Sequence, residues 1–259
     1  MDRNELAVEL ARLAGEIQMD SFGISHSVEY KGKVNIVTEV DKKCEELIVE
    51  RIRKEFPSDA ILGEEGGAVG RGGEYKWIVD PLDATVNYNH GYPFFGTSIA
   101  IERQGEIVFG VVYVPPRGEL FAAERGGGAF LNGSRISVSR ESELIRSLLA
   151  TGFAYNIHEG ELRNNLSHFE KFLFKTRAVR RDGMAAGDLC YVAAGRFDGF
   201  WELYLNPWDI AAGVIMVEEA GGRVSDFCGG KIDIYGVEIV ASNGLIHDKM
   251  IEVLSGDDS

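Results

Sequence analysis

A chain of 259 residues with a formal net charge of −14, 45% hydrophobic and 26% charged, has material for one large or two modest folded domains and is too apolar for general disorder. The acidic balance repels phosphate backbones and anionic headgroups, so nucleic-acid binding or membrane-surface attachment through a basic patch is disfavoured. Cys44, Cys190 and Cys228 are far apart, odd in number and without Cys-x-x-Cys spacing, which predicts reduced core residues.

Leu6, Leu10, Leu13 and Ile17 recur at helical spacing, predicting an amphipathic helix over residues 4–22 that Gly23 ends. The opening Met1-Asp2-Arg3-Asn4-Glu5 lacks the basic flank and apolar run of a signal peptide, and no stretch approaches the roughly 20 apolar residues of a membrane span, so the expected compartment is the cytoplasm. Thr38 and Asp41 have capping-box spacing for a second helix, which Cys44, Leu47, Ile48 and Ile52 carry to Phe56 before Pro57. From Trp77 the period changes. Residues 77–79, 98–102, 107–114 and 119–123 read as strands of one antiparallel sheet, punctuated by glycines 126–128 and the hairpin signal Asn132-Gly133. Strands near 148–151, 199–202 and 238–241 then alternate with helices near 161–174, 184–195 and 207–220, before a last helix from Leu245. This pattern is an α/β layer packed on an α+β part, with lobes of residues 1–139 and 140–259 divided near Ser139 and sharing a tight interface.

The segment Trp77-Ile78-Val79-Asp80-Pro81-Leu82-Asp83-Ala84-Thr85 carries the chemistry. An apolar strand ending in Asp80 buries a carboxylate at a cost that a cation or hydrogen bonds must offset. Pro81 is expected to force the chain out of the strand, so that Asp83 converges with Asp80, and like charges so close repel unless a metal lies between them. The amides of Ala84 and Thr85 would open a helix whose N-terminus accepts a phosphate. Strand-ending and helix-capping aspartates are the plain alternative. Gly63-Glu64-Glu65-Gly66-Gly67, seen alone, reads as a solvated surface turn. In Asn206-Pro207-Trp208-Asp209, a cap, a first-turn proline and a favourably placed charge explain Asp209 without any function. Together, Glu64, Asp80, Asp83 and Asp209 are oxygen donors with no histidine or cysteine close in sequence. That set suits hard cations such as Mg²⁺ rather than zinc. Two such ions side by side would activate water and hold the oxygens of an in-line phosphoryl displacement.

In these residues the chain resembles the inositol monophosphatase family of Mg²⁺-dependent, lithium-sensitive phosphatases. The resemblance runs in order through Gly63-Glu64-Glu65, Asp80-Pro81-Leu82-Asp83-x-Thr85, Asn87-Tyr88, Gly91, Phe130-Leu131-Asn132-Gly133, Pro207-Trp208-Asp209-Ile210-Ala211-Ala212-Gly213 and Glu219-Ala220-Gly221-Gly222. It implies a layered αβαβα sandwich, commonly a homodimer. It also implies two to three Mg²⁺ ions: Glu64, Asp80 and the Leu82 carbonyl on the first, Asp80, Asp83 and Asp209 on the second, and a weaker third near Glu64. Asp41 and Thr85 would orient the attacking water. The phosphate would rest on the amides of Ala84 and Thr85, and the substrate would be met by Asp83, Ala185, Glu202 and Asp209, with Glu202 accepting from substrate hydroxyls. A solvated glutamate at a strand end is the plain reading of Glu202.

Two departures stand out. The family usually has glycine where this chain has Ala84, which costs about 1 kcal/mol if φ is positive there and little if it is negative. Asp182 and Met184 stand where the family tends to have an apolar residue and Ser or Thr, and Asp182 would disfavour anionic sugar substrates unless Arg180 or Arg181 neutralises it. His90 reads as a polar loop residue, and Lys31 as either a solvated side chain or one that reaches the metals. Glycines 126–128 read as a hairpin, since no Lys-Ser or Lys-Thr follows as in a P-loop. The leading expectation is hydrolysis of a small polyol phosphomonoester, inositol 1-phosphate first, with fructose 1,6-bisphosphate, histidinol phosphate or a nucleotide 3′-phosphate as alternatives. The competing class is a regulatory, RNA-machinery-associated protein of the same fold.

Overall fold

The computed structural model describes residues 1–24, 28–30, 36–70, 73–154 and 163–256. Helix α1 (Arg3–Ser21) opens on a capping box in which Asp2 and Glu5 each accept the other's amide, at 2.8 and 2.9 Å. After the short strands β1 (Val28–Tyr30) and β2 (Ile36–Thr38), Thr38 and Asp41 cap α2 (Glu39–Glu55) as their spacing predicts. The first sheet follows: β3 (Ala60–Gly63), β4 (Gly67–Val69), β5 (Tyr75–Asp83), then, after the one-turn helix α3 (Thr85–Asn89), β6 (Gly96–Arg103), β7 (Glu106–Val114), β8 (Glu119–Glu124), β9 (Gly128–Leu131) and β10 (Ser134–Arg135). Its order is β10-β9-β8-β7-β6-β5-β3-β4, antiparallel throughout except that β3 runs parallel to β5. Asn132 and Gly133, both at positive φ (49° and 79°), make the two-residue turn between β9 and β10, a conformation that Asn-Gly adopts readily.

The second half supplies β11 (Leu148–Thr151), α4 (Leu166–Lys175), β12 (Ala178–Arg180), α5 (Ala185–Ala193), β13 (Gly199–Leu203), α6 (Pro207–Glu219), β14 (Arg223–Ser225), β15 (Glu238–Ser242) and α7 (His247–Ser255). The second sheet, β12-β11-β13-β15-β14, is parallel across β12, β11 and β13 and antiparallel beyond. Helices α1 and α2 pack on the outer face of the first sheet, α5 and α6 lie between the two sheets, and α4 and α7 cover the second. That is the αβαβα sandwich. One apolar core runs from Leu6 and Leu10 through Trp77, Phe95 and Phe121 to Leu189 and Ile215 between the sheets, and a smaller one gathers Phe172, Trp201 and Met250 under the outer helices.

Four expectations need correction. β5 does not stop at Asp80: it continues through Pro81 to Asp83, with a bulge that sets two residues, Pro81 and Leu82, against one, Thr97, between the pairs Asp80–Ser98 and Asp83–Gly96. A bulge is where a strand tolerates a proline, because no ladder donor is required there. Residues 64–66 do form a turn, the one that joins β3 to β4, but Glu64 within it is partly buried rather than solvated. The short strands β12 and β14, flanked by charged residues, carry too little alternation to be legible. Cys228 is exposed, whereas Cys44 and Cys190 are buried, and all three thiols are free. Lys31 and the expected helix start at Glu161 lie outside the described residues.

Candidate active site

The bulge in β5 governs the site. It turns Asp80 and Asp83 toward one pocket, where they are 1% and 7% exposed. Asp80 Oδ1 accepts the Leu82 amide at 3.0 Å, and Asp83 Oδ2 accepts the Ala186 amide of α5 at 2.9 Å. The bulge is held from behind: Gln18 of α1 donates its side-chain amide to the Pro81 carbonyl at 2.8 Å and to Thr97 Oγ1 at 2.9 Å.

Glu64 and Asp209 complete the acidic set. Glu64 follows β3, and its amide bonds to the Val79 carbonyl of β5 at 3.2 Å. Its turn is gripped by Glu45 of α2, a buried carboxylate that accepts the Glu65 amide at 2.8 Å and the Gly66 amide at 2.5 Å. A Cβ at Gly63 or Gly66 would come within 2.7–2.8 Å of that carboxylate and displace it from its hold on the turn. Asp209 stands in the first turn of α6 and accepts the Asn206 amide at 2.7 Å. Burial first, and then the repulsion of Glu64, Asp83 and Asp209, holds the Asp80 carboxyl well above the usual carboxylate range. Asp83 is raised likewise by burial and by Asp209, with the Ala186 amide pulling it back.

An all-oxygen acidic set whose members oppose one another's ionisation is one that a divalent cation discharges, so its chemistry fits Mg²⁺. Among the described residues no three acidic, histidine or cysteine side chains already close into a cage; the carboxylates form an open cluster around the pocket.

Beside them the chain passes through Ala84, at φ 70° and ψ 48°, into α3. The positive φ answers the question the sequence left open: an alanine occupies a left-handed position that glycine enters at lower cost. A left-handed to right-handed step turns successive amides toward one side, a geometry suited to anions, and the Ala84 amide here bonds to the Asp83 carboxyl. Thr85 Oγ1 donates to Asp41 Oδ1 at 2.8 Å, with the Leu82 carbonyl also within reach at 3.1 Å. Asp41 keeps its capping bond from the Thr38 amide at 2.9 Å, so it serves both partners. Burial raises its carboxyl, against the lowering effect of its threonine hydrogen bonds.

The second half of the chain closes the pocket with Ala185, at the start of α5, and Glu202, on β13. Glu202 is buried rather than solvated. Its carboxyl lies where a Cβ on Gly152 would be, 2.2 Å away, and burial together with Asp209 pushes it up to about 8. Glu64, Asp80, Leu82, Asp83, Ala84, Thr85, Ala185, Glu202 and Asp209 thus share one pocket, with Asp41 directly behind Thr85. Met184 is buried at its wall, and Asp182 is half-buried, facing Arg180 and Arg117, which draw its raised carboxyl back down. His90 is exposed. Gly126 and Gly128 donate their amides to Glu219 of this same chain, both at 2.9 Å. Sequence reasoning missed Glu45, which looks like any helix-surface glutamate, and Asp188, a buried residue of α5 on the pocket wall.

The model of the inositol monophosphatase family matches residues 2–257. The chain belongs to that family. This family member is 45% identical over 244 residues to the Nus factor SuhB of Pseudomonas aeruginosa, covering 92% of this chain and 90% of that one. It is 42% identical over 256 residues to the fructose-1,6-bisphosphatase/inositol-1-monophosphatase of Thermotoga maritima, covering 98% and 96%. Among solved structures, the inositol monophosphatase of Anabaena superposes with a TM-score of 0.89 at 42% identity, covering 97% of this chain and 94% of that one. As an inositol monophosphatase family member the chain is an enzyme, a metal-dependent phosphomonoesterase. Among the described residues no helix is long and apolar enough to cross a membrane.

Proposed function

We propose that this enzyme hydrolyses a small polyol phosphomonoester, inositol 1-phosphate first, with two to three Mg²⁺ ions held by Glu64, Asp80, the Leu82 carbonyl, Asp83 and Asp209. The observation that carries this is the convergence of four carboxylates, from three separate chain segments, on a pocket that also holds the Ala84–Thr85 turn. When bound, the ions would supply Lewis-acid activation of water and neutralise charge on the phosphoryl oxygens. The chain's own residues do the rest. The Thr85 hydroxyl commits its proton to Asp41, which leaves an oxygen lone pair to orient an attacking water. The amides of Ala84 and Thr85 receive the phosphate. Glu202 accepts from the hydroxyls of the leaving group, and Ala185 borders them. The half-buried Asp182 disfavours a second phosphate nearby, although Arg180 and Arg117 soften that effect.

The test is phosphate release from inositol 1-phosphate, fructose 1,6-bisphosphate, histidinol phosphate and a nucleotide 3′,5′-bisphosphate, with Mg²⁺ and with EDTA. Mg²⁺-dependent release led by inositol 1-phosphate is expected. Release that survives EDTA, or none from any compound, overturns the reading. A regulatory role is the second reading, favoured by the relative named a Nus factor. At a net charge of −14 it would run through protein contacts rather than direct RNA binding. A homodimer is the assembly the family resemblance supports, and light scattering tests it.

A further inference from the structure

Asp188 is 1% exposed, in the first turn of α5, and its Oδ1 has no hydrogen-bond partner among the described residues. Folded proteins rarely keep such an oxygen without a use. Proximity to a helix N-terminus explains a negative charge there, but not an orphaned oxygen. Packing does not explain it either, since the neighbouring positions Ala185, Ala186, Gly187 and Leu189 are buried and apolar.

Asp188 lines the same pocket as Glu202, Gly152 and Arg181. Other polar groups of that pocket are engaged by the chain itself: Asp80 by the Leu82 amide, Asp83 by the Ala186 amide and Thr85 by Asp41. The orphaned oxygen is therefore an acceptor left over for a ligand. A carboxyl oxygen keeps an acceptor lone pair whether or not the group is ionised, so its natural partner is a hydroxyl hydrogen, and a second phosphate would meet it badly.

We propose that Asp188 is a specificity-determining residue: it accepts a hydrogen bond from a hydroxyl of the substrate's non-phosphate part and, with Glu202, selects polyol phosphates over esters that lack hydroxyls. The inference rests on the phosphatase reading above and names a contact within it.

The experiment compares the wild-type enzyme with Asp188→Leu and Asp188→Asn, measuring Mg²⁺-dependent phosphate release from inositol 1-phosphate and from phenyl phosphate, which has no hydroxyl. Asp188→Leu should lower kcat/KM for inositol 1-phosphate about 10-fold, the upper end for losing a hydrogen bond to an uncharged group, while leaving phenyl phosphate within about threefold. Asp188→Asn, which keeps one acceptor oxygen, should lose less and on the same substrate only. Should the leucine variant fail to fold, the asparagine variant decides by the same split. Equal losses on both esters, or no loss on either, overturn the proposal. Wild-type enzyme inert toward both esters overturns the underlying phosphatase reading instead.

Discussion

At the start of α2, Asp41 accepts the amide of its cap residue Thr38 at 2.9 Å, and at the start of α6, Asp209 accepts that of Asn206 at 2.7 Å. The two corners share one local device and differ in what surrounds it. Asp41 is buried, and its other oxygen takes the Thr85 hydroxyl. Asp209 is half-buried at the pocket, where its charge raises Asp80, Asp83 and Glu202. A capping bond uses one of about four acceptor sites on a carboxylate, so a sufficient local explanation leaves the residue free for a second task.

The sharpest way to break this comparison is Asp209→Asn, which keeps a capping oxygen and removes the charge. Turnover with Mg²⁺ should fall at least about 1,000-fold, roughly 4 kcal/mol of barrier, with the melting temperature preserved. Near-normal turnover would make Asp209 a cap and nothing more. Asp41→Asn should cost about 100-fold, the low end for a group that assists proton transfer, and the loss should appear in kcat. If Thr38→Val, which replaces the cap hydroxyl with a methyl of similar shape, matched that loss, Asp41 would be acting through the helix start alone.

A smaller effect reads the acidic cluster through stability. In EDTA, the native chain holds a proton on Glu202 that the unfolded chain has released, and Asp80, Asp83 and Asp188 are raised in the same direction, so stability should fall as pH rises from 6.5 to about 8, through the raised Glu202 value. Below 6.5 the opposite sign enters: His247, buried between Ser225 and Ser242 and depressed to about 4, resists protonation, and its share of stability is lost as pH falls toward that value. Calorimetry should thus show a falling melting temperature above pH 6.5, and Mg²⁺ should remove the fall by binding the carboxylates. Asp209→Asn should flatten the slope, since Asp209 raises three of these groups; an unchanged slope would detach it from the cluster.

The smallest expected change is at Ala84. Ala84→Gly should stabilise the chain by about 1 kcal/mol, less the entropy glycine adds to the unfolded state, with turnover within a few-fold. Thermal melts and phosphate release check both halves. A large gain in turnover would show that the alanine displaces the amides that receive phosphate.

Much of this was legible because each piece has a strong local signature. The capping box at Thr38, the Asn132-Gly133 turn and the apolar runs of β6 to β8 all fell where period and turn chemistry put them. The acidic set was legible by residue type and order. The rest depends on partners far off in sequence. Pro81 marked a strand end because a proline inside a paired strand is costly, and only the pairing with β6 reveals the bulge that admits it. Glu64 looked solvated because the carboxylate gripping its turn is Glu45, on a different element. The sign of φ at Ala84 follows from how β5 meets α3, which no alanine announces. Asp188 is conspicuous only once its surroundings are known.

Gln18 carries one more consequence. Its side-chain amide holds the Pro81 carbonyl, 63 residues away, while its own carbonyl accepts the Tyr88 hydroxyl at 2.8 Å, so one residue of α1 ties down both flanks of the Asp80–Thr85 turn. Gln18 is thus a brace behind the acidic residues of the pocket that touches none of them itself. In the full chain Gln18→Leu should lower turnover while the apolar packing of Leu6 and Leu10 is kept, which makes this helix part of the catalytic apparatus as well as part of the core.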